Sequence, residues 1–275
     1  MKDVSIVIVN YKMKDNIEVC LSSLYAELVK SSLSVQITVV DNNSGDGIKA
    51  FLQKRFPNVH CIELSENKGF GFAQNAGLSA HEAQYYFALN PDTEFLTGES
   101  VIEGLYQFMQ ENPRIGMIGP RLQYPDGGLQ FSCWRFPPLL QPLYQRTRLG
   151  QTDHGKQRVA FHHMKEIDHS KVRPVDALMG SAMFVRADAM KQVGMFDDRF
   201  FMYYEDIDWC RRMWDAGWPV YYVPTVTLVH IHGRGSAKVP GVFRALFKNK
   251  LARIHVKSWF KYLWKWRGQH HYYSL

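Results

Sequence analysis

Apolar runs and helix-length segments alternate along the first 120 residues. "VSIVIVN" (Val4–Asn10), "VQITVVD" (Val35–Asp41), "VHCIEL" (Val59–Leu64) and "YYFALN" (Tyr85–Asn90) are almost continuously apolar, which suits strands covered on both faces. The segments near 14–30, 46–55, 71–81 and 99–111 read as helices. Strand, helix, strand repeated in this way predicts parallel pairing with right-handed crossovers, hence an α/β fold with a mostly parallel central sheet. Beyond Pro120 the rhythm changes. "QYPDGG" reads as a turn, and residues 131–173, rich in Pro, Gln, His and Arg, show no period and predict a long substrate-facing loop or lid. A strand returns over Val175–Arg186, followed by a helix near 187–193, a further helix after the aromatic and acidic stretch at 200–210, and strands in "VYYVPTVTLVH".

The predicted strands lead into polar residues. Asn10, Asp41, Glu66–Asn67 and Asn90–Pro91–Asp92 all fall toward carboxyl ends, the edge on which open α/β sheets bind ligands. The glycines of "ENKGFGFAQNAG" (Glu66–Gly77) invite a phosphate-loop reading, but the spacing rejects a dinucleotide fingerprint: Gln74 stands where the third glycine belongs, and the loop follows the third strand. No G-x-x-x-x-G-K-[ST] occurs, and "DNNSGDG" (Asp41–Gly47) puts Gly45 where a calcium loop needs a ligand. Taken alone, "DNNSGDG" is also what an Asx-type cap opening the next helix looks like. "NYKMKDN" lacks the glycine-rich, arginine-containing loop of a nucleotidyltransferase.

Length and charge narrow the class. At 275 residues the chain fits one large domain or two closely packed halves. The net charge of +7 is concentrated at one end: from Gly241 onward there are eight basic residues and no acidic one, so the preceding body is nearly neutral. Cys20, Cys61, Cys133 and Cys210 form no CxxC pair, which argues against a zinc ribbon or a disulfide framework and for reduced thiols in the cytosol. The apolar run in "MKDVSIVIVNY" is too short for a signal sequence, and no stretch reaches the length of a membrane span.

Six motifs, "SIVIVNY", "VVDNNSGDG", "ENKGFGFAQNAG", "LNPDTEF", "GSAMFVR" and "FFMYYEDIDWCRR", occur in the order and approximate spacing of the family 2 glycosyltransferases with the GT-A fold. Over residues 4–236 the chain resembles their rhamnosyltransferase branch most. The resemblance implies a GT-A domain over 1–237, with a nucleotide-sugar-binding half (1–125) and an acceptor-binding half (126–237), followed by a basic extension (238–275). It implies donor contacts from Asn10, Tyr11, Asp41, Asn67, Gly69, Phe70, Asn90 and Asp92. The family's D-x-D metal motif here reads Asn90–Pro91–Asp92, leaving Asp92 to hold Mg²⁺ or Mn²⁺ with help from His230; His232 is the fallback. Asp206 falls at the position of the general base, Glu205 and Asp208 would orient it or contact acceptor, and Gly180, Ser181 and Tyr204 fall on the acceptor side. Apart from the resemblance, three acids in the first turn of a helix are what the macrodipole favours.

The implied reaction is inverting transfer of a sugar, rhamnose from dTDP-rhamnose in the first instance, to a saccharide or lipid-linked saccharide acceptor in bacterial surface polysaccharide assembly. A UDP-hexose donor is the alternative within the enzymes. The missing first carboxylate of the D-x-D also admits an impaired protein that only binds nucleotide sugars or membranes. In the tail, Lys250, Arg253, Lys257, Lys261 and Lys265 recur at helical spacing among Leu251, Ile254, Trp259, Phe260, Leu263 and Trp264. This suits a helix lying on an anionic membrane at the inner face of the cytoplasmic membrane; a helix packed on the core with a solvated basic face is the competing reading. Nucleic acid is not an expected partner, because the charge is confined to the tail and no RNA or DNA motif accompanies it.

Overall fold

The computed structural model describes residues 1–138, 141, 144, 147–231, 249–269 and 271–274. In chain order the elements are β1 (Lys2–Asn10), α1 (Lys14–Leu28), β2 (Val35–Asp41), α2 (Ile48–Arg55), β3 (His60–Glu63), α3 (Phe70–Leu78), β4 (Ala83–Leu89), β5 (Thr93–Phe95), α4 (Val101–Glu111), β6 (Met117–Gln123), β7 (Leu129–Gln130), β8 (Cys133–Trp134), α5 (Asp153–His162), β9 (Arg173–Pro174), β10 (Ala177–Leu178), β11 (Ala182–Arg186), α6 (Ala187–Val193), α7 (Glu205–Asp215), β12 (Val220–His230) and α8 (Lys250–Lys265).

The central sheet runs β3-β2-β1-β4-β11-β6-β12-β5. It is parallel from β3 to β4 and again between β6 and β12, while β11 enters antiparallel between β4 and β6. Alternation along β1 explains why its sequence is apolar throughout. Val4, Ile6 and Ile8 pack with Ile17, Leu21 and Leu24 of α1, Leu52 of α2 and Leu105 of α4, whereas Val7 and Val9 face Ala73 and Leu78 of α3 and the layer containing Trp209 and Met213 of α7. The result is a three-layer α/β/α sandwich.

The second half departs from its predicted elements in two places. Residues 131–173 are not one long loop: they contain β8 and α5, the latter opened by Thr152, whose hydroxyl accepts from the Gly155 amide at 3.1 Å. The expected strand over Val175–Arg186 is split into β10 and β11, because Met179–Gly180–Ser181 turns out of the ladder to meet α7. His232 and the predicted boundary near residue 237 lie outside the described residues.

The tail helix α8 packs on the core. Ala252, Ser258 and Tyr262 are buried, and Lys265, expected on a basic surface, bridges Asp197 and Asp208 at 2.7 Å each. Among the described residues no helix is long and apolar enough to cross a membrane.

Candidate active site

A cavity of about 710 Å³ opens at the carboxyl ends of β1, β2 and β4. One wall is made by Tyr11, Asn42, Asn67, Gly69 and Phe70. Asn42 ties this wall together: its Nδ2 donates to Asn67 Oδ1 and to the Gly69 carbonyl, each at 3.1 Å, while its Oδ1 accepts from the Lys68 amide. Gly69 adopts φ +100°, and a Cβ there would lie 2.2 Å from the Phe201 carbonyl oxygen, so only glycine lets the loop close on residues 200–203.

Asn10 and Asp41, expected to contact the donor, stand behind the wall. Neither lines the cavity. Asn10 is fully buried and spends its amide on Asp41 Oδ1 (3.1 Å), Ser44 Oγ (3.0 Å) and Asp46, while Asp41 also accepts from the Ser44 amide. These bonds fold the 41–47 loop behind Asn42, the residue that reaches the wall.

Asn90, Asp92 and His230 do meet, where β4 and β5 come against the end of β12. His230 Nδ1 lies 2.7 Å from Gln130 Oε1, an oxygen that can only accept, and His230 Nε2 lies 3.5 Å from the Asn90 amide nitrogen, which can only donate. The Gln130 contact calls for a proton on Nδ1 and turns Nε2 toward Asn90 and Asp92. Nε2 sits 3.3 Å from Asp92 Oδ1. A ring nitrogen and a carboxylate this close are a fitting donor pair for a divalent cation that takes its remaining ligands from phosphate and water. Among the described residues no group of three or more His, Cys, Asp or Glu forms a complete metal cluster.

The acids of "YYEDID" separate by environment. Tyr203 and Tyr204 both adopt left-handed φ, +68° and +71°, and this turn delivers Glu205 and Asp206 into the cavity wall at the start of α7. Asp206 is buried; its Oδ2 accepts from the Gly180 amide and its Oδ1 from the Ile207 amide, both at 2.9 Å. Burial raises its carboxyl to about 6, with the two amides working in the opposite direction. Burial, reinforced by the neighbouring Asp206 charge, raises Glu205 well above the usual carboxylate range. Burial thus raises both carboxyls, and the Asp206 charge adds to the effect on Glu205. Gly180 and Ser181 line the same wall, as does Tyr204.

Asp208, expected to orient the base or contact acceptor, does not line the cavity. Two residues along a helix is a turn of about 200°, and the Asp208 side chain, fully buried, points away from the cavity to Arg212 Nε (2.9 Å), Lys265 and the Trp266 indole N–H (2.8 Å).

Facing Asp206 is a wall that the sequence did not single out: Tyr124, Gln130, Phe131, Trp134, His162 and His163. The pairing of β8 with β10 holds Trp134 opposite Ala177, and the Arg135 amide bond to the His162 carbonyl brings in the end of α5. Burial lowers His162 to about 3 and His163 to about 4, so both are neutral. The Trp134 indole nitrogen and Ser181 Oγ are buried without a hydrogen-bond partner among the described residues. An aromatic wall with uncommitted polar atoms suits a sugar ring and its hydroxyls. His255 of α8 also borders this cavity.

Comparison with known proteins places this geometry. Residues 5–174 match the profile described as "Glycosyl transferase family 2", and residues 91–269 that of "Glycosyl transferase family group 2". N-acetylglucosaminyl-diphospho-decaprenol L-rhamnosyltransferase of Mycobacterium tuberculosis is 31% identical over 246 residues, 86% of this chain and 78% of that protein. The dTDP-rhamnosyl transferase RfbF of Shigella flexneri is 33% identical over 229 residues, 81% of this chain and 68% of that protein. The mannosyltransferase PcManGT from Pyrobaculum calidifontis, solved in complex with GDP-Man and Mn²⁺, has a TM-score of 0.60 at 14% identity, covering 86% of this chain; this chain spans 60% of its length. Staphylococcus aureus TarS 1–349 gives a TM-score of 0.55 at 15% identity over 83% of this chain and 60% of that one. The shared fold is the expected GT-A fold. With the profile matching well over half of the sequence and the strand-end cavity built from the motif residues themselves, the chain belongs to the family 2 glycosyltransferases.

Proposed function

We propose that the protein is an inverting, metal-assisted rhamnosyltransferase that moves rhamnose from dTDP-rhamnose to a lipid-linked saccharide acceptor in surface glycan assembly. Relatives named as rhamnosyltransferases support the sugar and the acceptor class. The observation that carries the mechanism is Asp206: a buried carboxylate raised to about 6, oriented by the Gly180 and Ile207 amides, in one cavity with Asp92 and His230.

In this reading the first 125 residues contribute most of the donor wall, through Tyr11, Asn42, Asn67, Gly69 and Phe70, and residues 126–237 most of the acceptor wall. Asp92 and His230 would hold Mg²⁺ or Mn²⁺, which supplies countercharge for the departing diphosphate. Asp206 takes the proton from the acceptor hydroxyl as its oxygen attacks the anomeric carbon from the face opposite the diphosphate. One displacement inverts the anomeric centre, and the electron pair of the broken bond leaves with dTDP. Glu205, whose carboxyl burial and the Asp206 charge raise, stands beside the base.

The outer face of α8 supports peripheral attachment at the inner face of the cytoplasmic membrane. Arg253 and Lys257 lie exposed beside Phe260 and Trp264, which are 59% and 72% exposed.

The test is transfer by the purified full chain with dTDP-rhamnose, UDP-sugars and GDP-mannose, with and without Mg²⁺ or Mn²⁺, and assignment of the product anomer by NMR. Metal-dependent release of dTDP with an inverted product is the expected result. Turnover of a UDP- or GDP-sugar instead would overturn the donor, and binding without turnover of any donor would leave a nucleotide-sugar-binding protein.

A further inference from the structure

Helix α8 carries different chemistry on its two sides. The outer face is basic and aromatic, and no acidic residue follows Gly241. The inner face grips the segment that ends in Asp206. Ser258 Oγ donates to the Met202 carbonyl at 2.8 Å, Lys261 Nζ donates to the Arg199 carbonyl, and the His255 ring lies 4.9 Å from that of Tyr203 and 5.3 Å from that of Tyr204. Lys265 reaches Asp197 and Asp208 at 2.7 Å each, and the Trp266 indole donates to Asp208. From the other side, Arg211 of α7 donates to the Tyr262 hydroxyl (3.0 Å) and the Gln269 carbonyl (2.8 Å).

Two features of the catalytic segment need such support. The left-handed tyrosines Tyr203 and Tyr204 directly precede the acids, and a bulky residue in that region persists only when its surroundings over-determine it. Asp208, with no exposed surface, needs cationic partners, and among the described residues the one outside its own helix, Lys265, comes from the tail. An undocked tail would leave Asp208 with Arg212 alone and the tyrosine turn without its clamp, within two residues of the base.

We propose that α8 is a brace between a lipid surface and the base: seating its outer face on an anionic bilayer holds its inner face against residues 197–208 and so fixes Asp206 for turnover. Lys265, Ser258 and Trp266 are then positioning residues. The inference rests on the membrane-surface part of the proposed function, and adds that lipid binding and turnover are linked through the helix rather than through delivery of acceptor alone. His255 places the same helix at the cavity wall, so the element that meets the bilayer also borders the chamber that receives the acceptor.

The experiment uses the full chain and release of dTDP from dTDP-rhamnose by water, so that no lipid acceptor is present. Rates are measured without vesicles, with phosphatidylcholine vesicles, and with phosphatidylcholine–phosphatidylglycerol vesicles, alongside co-sedimentation. The anionic vesicles are expected to bind the protein and raise kcat severalfold, leaving KM for the donor unchanged. Phe260→Ser/Trp264→Ser is expected to lose both binding and the rise. Lys265→Met is expected to lower kcat about tenfold, the equivalent of about 1.4 kcal/mol in the barrier, at unchanged donor KM, with Lys265→Arg restoring most of it. Ser258→Ala, a smaller lesion, supplies the same kcat-against-KM reading should Lys265→Met not fold. Anionic vesicles that bind yet leave kcat unchanged or lower it would overturn the brace while the membrane reading stands. No vesicle binding would overturn both, with transfer in solution still standing. Wild-type kcat in folded Lys265→Met and in Ser258→Ala would remove the positioning role.

Discussion

Asp206→Asn separates catalysis from stability, because the carboxylate proposed as the base is a burden on the fold. The Asp206 carboxyl is raised from 3.8 to about 6, principally by burial. Native protein therefore holds a proton there that the unfolded chain has released. The stabilising contribution of this proton is full below about pH 4 and is lost as the pH rises through about 6. A shift of about two pH units corresponds to about 3 kcal/mol between the two limits. Asparagine resembles the protonated acid, and its side-chain oxygen can still accept from the Gly180 amide, so the variant escapes this loss. Relative to wild type it is expected to gain up to about 3 kcal/mol on going from about pH 4 to pH 8, read by urea unfolding across that range. Transfer activity should fall by about 10²–10⁴-fold for want of the base, with donor affinity unchanged by calorimetry. The wild-type kcat/KM should fall as pH drops through about 6 as Asp206 takes up its proton. A variant with near-normal turnover would refute the base assignment. One whose stability tracks wild type at every pH would refute the buried-carboxylate argument.

Two further predictions concern the donor and metal sides. Gly69→Ala places a Cβ 2.2 Å from the Phe201 carbonyl at φ +100°, whereas Gly47 has φ +75° and nothing within 4 Å. Thermal unfolding should show Gly47→Ala costing about 1 kcal/mol and Gly69→Ala about 3 kcal/mol or more, with loss of donor binding only in the latter; equal costs would mean the loop does not need that close approach. Gln130→Leu removes the acceptor that keeps the His230 proton on Nδ1. The Mn²⁺ concentration giving half-maximal activity should rise about 10–100-fold, and an unchanged midpoint would detach His230 from the metal.

The first half of the fold was legible because β1, β2 and β4 are buried on both faces, so their apolar runs lead abruptly into Asn10, Asp41 and Asn90. The motif at 203–208 located Asp206 and Glu205. What the sequence withheld depends on contacts across long separations. Asn10 and Asp41 stand at the right strand ends, but only the folded 41–47 loop shows that Asn42 is the one that faces the cavity. Helix α5, "DHGKQRVAFH", carries Gly155 and no sustained apolar stripe, so its contribution of His162 had no periodic signal. The tail was ambiguous for the same reason. Aromatic and basic residues at helical spacing serve a membrane or a core equally well, and the partners that draw Lys265 inward, Asp197 and Asp208, lie 68 and 57 residues away.

Asp208 turns away from the cavity for a reason the sequence already contained, and the reason bears on the base proposed at Asp206. The helix macrodipole favours Glu205, Asp206 and Asp208 alike, so their roles cannot come from position in the first turn. They come from the direction in which each side chain leaves the helix. Asp208, about 200° around from Asp206, collects Arg212, Lys265 and the Trp266 indole on the side away from the cavity. Had those cations faced Asp206, they would have pulled its carboxyl down toward the range in which a carboxylate is a poor base. Asp197 shows that effect: against its partial burial, Arg199 and Lys265 hold it well below the ordinary value. Placing the cations on the back of α7 gives the helix a firm anchor and leaves Asp206 with neutral amides for company, so that burial, unopposed by a neighbouring cation, raises its carboxyl to about 6.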